Sequence, residues 1–255
     1  MNAYQQHYTA IIGHGRPRSP RGLQVRELWN RSIEFGAHTM FGRYKFNRAL
    51  AFMEMLQFIG GTFSQDAIRA VARNARIELF GAQSAHGPRV VDQIPAILRA
   101  LANDPDTRRA VLVLPCGFEA GTGDAPCTST FQVQQYDGIL HATVTMRSSD
   151  AILGLPYDVV QFGGMLQALA QVAGLTAGTV HLFMVNAHVY DDTARLGPTG
   201  GVSQYRLLPV LPSGPTWPNI QAWAAANIAH PEAWVDGVPL GVQFTPPSTP
   251  MEATA

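Results

Sequence analysis

Two alternating runs, Thr128–Gln134 and Ile139–Met146, flank the turn Tyr136-Asp137-Gly138. Period-two alternation marks strands with one buried face, and Asp-Gly between two such runs marks a hairpin. Both ends of this hairpin carry chemistry. Pro126-Cys127 opens the first strand, and the second ends in Arg147-Ser148-Ser149-Asp150, a polar cluster too costly to bury without a ligand or partners. Beyond the turn formers Gly154 and Pro156, Tyr157-Asp158 leads into an apolar segment with helical spacing. One short region thus joins a candidate nucleophile, an anion-binding Arg-Ser pair and an acid at a helix start.

The rest of the chain has to build a core around that hairpin. Its 255 residues are 46% apolar and 14% charged, with no linker-like stretch, which predicts one globular domain over residues 1–255. Formal charge is zero and no basic block exists, which argues against a nucleic-acid partner but leaves room for a small phosphate held by two or three arginines. Two cysteines without metal-type spacing predict a reducing compartment, no disulfide framework and no metal. No basic-then-apolar leader opens the chain and no apolar run reaches membrane-span length, so the expectation is a soluble cytoplasmic protein with no membrane contact.

Residues 1–24, punctuated by glycine and proline and carrying Arg16, Arg18 and Arg21, read as a loop arm, either anion-binding or merely solvated. Helices are predicted over 48–59, 64–76, 90–102 and 156–172, the last capped by Gly174. Glu54 lies mid-helix between Met53 and Met55, where little polar face remains for it, so a buried acid with a raised pKa is expected. Buried strands are predicted at 110–115 and 180–185. Cys116 reads as a small buried hydrophobe. His188 and Tyr190, two apart in extended chain, point the same way. Beyond 196 the chain turns Pro/Gly-rich with one helix near 220–228, and 246–255 reads as a loose tail.

Together these pieces resemble the thymidylate synthase family. Pro126-Cys127 with Phe131-Gln132, Arg147-Ser148-Ser149-Asp150, Leu153-Gly154-Leu155-Pro156-Tyr157, His188-Val189-Tyr190 and Asp104-Pro105-Asp106-Thr107-Arg108-Arg109 each match a family motif. The helix through Met53-Glu54-Met55-Leu56 looks like the one carrying the family's glutamate. The resemblance implies an α/β (α+β) fold, a mixed twisted sheet packed by helices and paired through its sheet face as a homodimer. It implies Cys127 as the nucleophile adding to pyrimidine C6 and Glu54 as proton handler through water, with methylenetetrahydrofolate as one-carbon donor. Arg147, Ser148, Arg21 (or Arg18) and a neighbouring subunit's Arg108 and Arg109 would hold the nucleotide's phosphate. His188 and Tyr190 would bind the sugar, Gln132 would join the substrate site, and Asp150 and Phe80 would face the folate.

Two departures shift the reading within the family. The synthases have Asn where this chain has Asp158, and His where it has Thr128; the pattern looks more like the deoxycytidylate and cytidylate hydroxymethylases. A carboxylate only accepts hydrogen bonds and the cytosine 4-amino group only donates, so Asp158 favours cytosine. The proton that cytosine N3 then needs comes either on the ring or on Asp158. Between Gly61 and Phe80 the chain is short and lacks the family's folate-stacking tryptophans, and a wetter pocket favours water capture, giving 5-hydroxymethyl-(d)CMP. Methylation of dCMP or dUMP is the nearest alternative. A catalytically silent nucleotide-binding homologue is a further one, and a Cys127–His188 hydrolase explains neither the arginines nor Asp158.

Overall fold

The protein is described from a computed structural model covering residues 1–72, 84–114, 125–209, 211 and 213–247. Phe80 and Cys116 lie outside the described residues, as does the tail from Ser248.

The predicted hairpin is present as β5 (Thr128–Tyr136) and β6 (Ile139–Met146), paired antiparallel. Its turn residues Asp137 and Gly138 both have positive φ, 50° and 80°, the left-handed pair that a two-residue turn between right-twisted strands requires. The hairpin is the middle of a seven-stranded sheet. On one side β5 pairs with β4 (Val111–Val113). On the other, β6 runs parallel to β8 (Thr176–Tyr190), which pairs antiparallel with β2 (Val25–Gly36), and β1 (Arg16–Arg18) edges β2. The two-residue β7 (Ser149–Asp150) also pairs with β8.

A parallel pair needs a crossover, and α6 (Leu155–Ala173) supplies it between β6 and β8. Every residue of α6 from Leu155 to Ala170 is buried, so this helix is the centre of the core rather than a surface stripe. It ends at Gly174, φ 70°, the predicted left-handed cap. Beside it lies α2 (Arg48–Gly60), almost wholly apolar and begun by Asn47, whose Oδ1 accepts from Leu50 N at 3.0 Å. The two helices approach closely because Gly164 faces Met55, and an added methyl there would collide with the Met55 side chain. That contact is one residue from Glu54. The core therefore sets how near Glu54 comes to the start of α6.

Several expectations need correction. Residues 3–14 are not loop arm but helix α1 (Ala3–His14), started by a capping box in which Asn2 and Gln5 bond each other's backbone. The irregular character expected of 1–24 survives in the stretch 19–24 around the single 3₁₀ turn Pro20–Gly22. The helix expected over 64–76 is α3 (Gln65–Val71), and beyond Ala72 it lies outside the described residues. The helix expected over 90–102 is two, α4 (Gly87–Val90) and α5 (Ile94–Asn103), because Pro95 cannot continue a helix from behind. The C-terminal part is not merely Pro/Gly-rich coil around α7 (Trp217–Ala229). β9 (Pro198–Leu207) pairs with β3 (Thr39–Arg43) and with β10 (Val242–Thr245) as a second, three-stranded sheet.

Candidate active site

Cys127, half-buried, precedes β5 at a point where the hairpin register slips, between Thr128 and Thr130. Arg147 straps this turn. Its backbone N–H donates to the Cys127 carbonyl at 2.8 Å, and its guanidinium donates to the carbonyls of Pro126 (3.2 Å) and Ala125 (2.7 Å). The thiol and the arginine are thereby held as neighbours by the ends of two paired strands.

Downstream of Arg147 a second group forms. Ser148 Oγ lies 3.3 Å from His188 Nδ1, and that nitrogen is also 3.1 Å from Asn186 Oδ1. Asn186 Nδ2 donates to Glu27 Oε2 at 2.8 Å, so its carbonyl oxygen is the atom turned to His188. The network thus assigns the proton to Nδ1 and leaves Nε2 as an acceptor. Burial holds His188 below its ordinary pKa, favouring the neutral ring. Tyr190 packs edge-on to it, ring centroids 5.1 Å apart, on the shared face that spacing of two predicts. Arg18 pairs with Glu27 at 3.4 Å, whereas Arg21 is exposed and its charge reaches His188. Arg21 is held at φ 52°, left-handed backbone that costs a non-glycine residue about 1 kcal/mol.

The third group is acidic. Asp150 Oδ1 accepts from the N–H groups of Ile152 (2.7 Å) and Leu153 (3.0 Å), closing a turn that brings the chain round to Gly154. A Cβ at Gly154 would lie 3.3 Å from the Asp150 carbonyl and 3.4 Å from Asp158 Oδ2; the glycine leaves the Asp158 carboxyl room to fold back toward Asp150. Asp158 is only 9% exposed. Burial, then the charge of Asp150, pushes its pKa up to about 7. Glu54 is pushed up to about 8, by burial first and the charge of Asp158 second. Carboxyl groups crowded this way cannot all ionise, so near neutral pH the trio retains protons.

The fold therefore gathers Cys127 with Arg147, Ser148 with His188 and Tyr190, and Glu54 with Asp158 and Asp150. It does not bring Gln132, Arg108 and Arg109 to them. Gln132 alternates with buried Phe131 onto the outer face of the sheet, where its amide donates to the Arg108 carbonyl at 3.4 Å, and both arginines are exposed. Sequence reasoning missed Asn186 and Glu27, which orient His188. Asn186 was findable, being two residues before His188 on the same strand. Glu27 was not, because β2 went unrecognised. It also missed Arg43, buried to 6% and donating to Tyr157 Oη at 3.0 Å. Among the described residues, no group of three or more His, Cys, Asp or Glu is disposed to hold a metal, and no helix is long and apolar enough to cross a membrane.

A mixed sheet with a helix-start acid, a strand-end cysteine and an adjoining arginine-serine pair is the arrangement an α/β enzyme acting on a small anionic substrate calls for. The family model for thymidylate synthase matches residues 2–196, and the chain belongs to that family. Membership implies folate-dependent one-carbon transfer to C5 of a pyrimidine nucleoside monophosphate, with methylenetetrahydrofolate as co-substrate.

Proposed function

We propose that the chain transfers a one-carbon unit to C5 of a cytosine nucleotide, CMP or dCMP, and releases the 5-hydroxymethyl product. The observation that carries this reading is the setting of Asp158, a carboxyl only 9% exposed in the first turn of α6, where burial and then the charge of Asp150 push its pKa up to about 7. Cytosine presents an acceptor at N3 and a donor at its amino group. One proton shared between N3 and Asp158 satisfies both, whichever of the two carries it. Uracil brings its own N3 proton and an O4 acceptor, so it needs Asp158 fully protonated; the ionised form sets a carboxylate against O4.

Cys127 attacks C6 as thiolate, forming the carbon–sulfur bond that turns C5 into a carbanion equivalent. Arg147, strapped across the cysteine turn, contributes positive charge there and, with Ser148 and Arg21, holds the phosphate. Arg21 is preferred to Arg18, which is committed to Glu27. His188 and Tyr190 hydrogen-bond the sugar. Glu54, with a pKa of about 8, is matched to relaying protons near neutral pH through water. When bound, methylenetetrahydrofolate supplies the one-carbon unit. A cavity of about 710 Å³ bordered by Phe41, Lys45, Phe46, Arg48, Asp236 and Phe244 is the place proposed for it, since Phe46 and the neighbouring Asn47 touch Tyr157 beside Asp158. Asp150 offers the acceptor for ring N–H groups. No tryptophan lies between Gly61 and Phe80, which favours capture of the C5 methylene by water rather than by hydride.

The outer sheet face supports a homodimer. Val113, Ile139 and Val185 are exposed apolar residues there, near the Gln132–Arg108–Arg109 patch. In a pair docked through this face, Arg108 and Arg109 reach the neighbouring pocket. The deciding experiment incubates the protein with methylenetetrahydrofolate and each of CMP, dCMP and dUMP and weighs the products. The reading expects a hydroxymethylated cytidylate without dihydrofolate. Thymidylate from dUMP, or a methylated cytidylate with dihydrofolate, overturns it.

A further inference from the structure

One oxygen joins the starts of the two acid-bearing helices. Tyr157 Oη accepts from Arg43 Nη2 at 3.0 Å and from the backbone N–H of Asn47 at 3.3 Å. Tyr157 precedes Asp158 in the first turn of α6, and Asn47 caps α2, with Glu54 about two turns further along that helix. The Phe46 ring packs against the Tyr157 ring at 4.9 Å, and the Arg43 guanidinium lies 5.4 Å from the same ring's centroid. Arg43 is fixed from its own side too, donating to the Tyr44 carbonyl at 2.7 Å.

Arg43 is the only buried lysine or arginine among the described residues. Burying a guanidinium for packing alone is poor economy, since an apolar residue of like volume is often as stable or more so. Its surroundings give it another use. Facing it or its partner Tyr157 are Asp150 on β7, Glu54 on α2 and Tyr4 on α1, with His188 of β8 and Asp158 of α6 against Asp150. The Arg43 charge draws Asp150 toward its ionised form, against the burial that raises it. A fixed cation at the Asp150 end leaves the shared protons at the Asp158 and Glu54 end, where the proposed chemistry uses them.

We propose that Arg43 and Tyr157 form a positioning clamp: the buried guanidinium holds the phenol, the phenol joins both helix starts, and Asp158 and Glu54 thereby keep a fixed separation, with the positive charge set beside their neighbour Asp150. The clamp rests on the reading of those two acids as base reader and proton handler. Neither clamp residue touches substrate in it.

The test compares Tyr157→Phe, Arg43→Lys and Arg43→Met in the full chain. Two readouts are used: turnover against pH, and the protonated-carboxyl infrared band followed through a pH titration of the unliganded protein. Tyr157→Phe lowers kcat about tenfold while KM for the nucleotide stays within about twofold, because geometry is loosened and phosphate and sugar contacts are kept. Arg43→Met lowers kcat as much and moves the carboxyl titration to higher pH. Arg43→Lys restores the titration but only part of kcat, since charge returns without the fork. Wild-type kcat in Tyr157→Phe, or an unmoved titration in Arg43→Met, overturns the clamp. Should Arg43→Met fail to fold, Tyr157→Phe and Arg43→Lys decide. If the wild type modifies no cytidylate, the functional reading fails by itself, and the carboxyl titration still judges the clamp.

Discussion

The two groups of the proposed site, Arg147 with Arg21 and Glu54 with Asp158, handle charge in opposite ways. At the Arg147–Arg21 end the guanidinium groups are exposed or half-buried, and water screens them until a phosphate arrives. At the Glu54–Asp158 end Asp158 is buried and Glu54 half-buried among apolar neighbours, and the fold meets the cost by keeping protons on the acids and by one buried arginine, Arg43. The first end grips an anion through charge. The second reads a base through the count of protons, which is a property of the surroundings rather than of the residues alone.

The largest effect expected from any single change lies between the ends. Cys127→Ser should lower turnover by about 10⁴-fold or more, as deletions of a nucleophile do, while nucleotide binding survives. Isothermal titration with CMP or dCMP beside a turnover assay checks both halves. Residual activity near wild type removes the nucleophile assignment and with it the meaning of the comparison.

At the base end, Asp158→Asn should cost cytidylate turnover about 10–100-fold and raise acceptance of uridylate, because an amide donates to O4 as readily as it accepts from N3–H. Competition between dCMP and dUMP over pH sharpens this. In the wild type any uridylate use should grow as pH falls through about 7, the value at which Asp158 gains its proton, and in Asp158→Asn that dependence should vanish. A preference that ignores both the substitution and the pH would show that the buried end does not read the base.

At the phosphate end, Arg21→Ala should weaken nucleotide binding about 10–100-fold, the loss of one charge-assisted contact, and flatten its salt dependence. Arg18→Ala should do far less, because Arg18 is already spent on Glu27. Equal losses from the two would break the assignment. Asn186→Ala should give a smaller defect, about threefold to tenfold in nucleotide KM, by freeing the His188 tautomer; its checkable sign is a downward move of the His188 titration followed by NMR, since the amide oxygen that favours the protonated ring is gone.

These two ends were also unequally legible. Cys127, Arg147 and Ser148 lie at strand ends within one short stretch, so residue identity and alternation grouped them; His188 and Tyr190 were paired by their spacing and joined to that group by the family resemblance. The hairpin, α2 and α6 were readable for the same reason, each being a long stretch with one dominant period. Arg43 was invisible, because β3 is a short strand of a second sheet whose partner β9 is far away in sequence, from Thr39↔Gln204 to Phe41↔Val202. Glu27 was lost with β2, where polar and apolar residues mix without a clean period. Asp158 and Glu54 were recognised as residues. Their shared protons were not readable, because desolvation depends on what packs around them, including the close approach at Gly164.

The smallest prediction concerns stability, and it bears on the buried end alone. Glu54 and Asp158 titrate in the folded chain at about 8 and about 7, against ordinary values of 4.5 and 3.8. Acids with raised folded values bind protons that the unfolded chain releases, so between those limits the folded state holds more protons and stability must fall as pH rises. His7, His86 and His188 act oppositely, all held below their ordinary pKa by burial, but they begin to favour unfolding only as pH drops through their ordinary 6.5. The window from about pH 6.5 to 8 therefore isolates the acids: the unfolding midpoint in urea should decline across it. Glu54→Gln removes one of the two proton sites and should flatten that decline by about half, whereas Arg21→Ala should leave it untouched. A wild-type midpoint that is flat or rising over this interval would mean that Glu54 and Asp158 ionise freely inside the fold, and the contrast between a screened end and a proton-counting end would collapse.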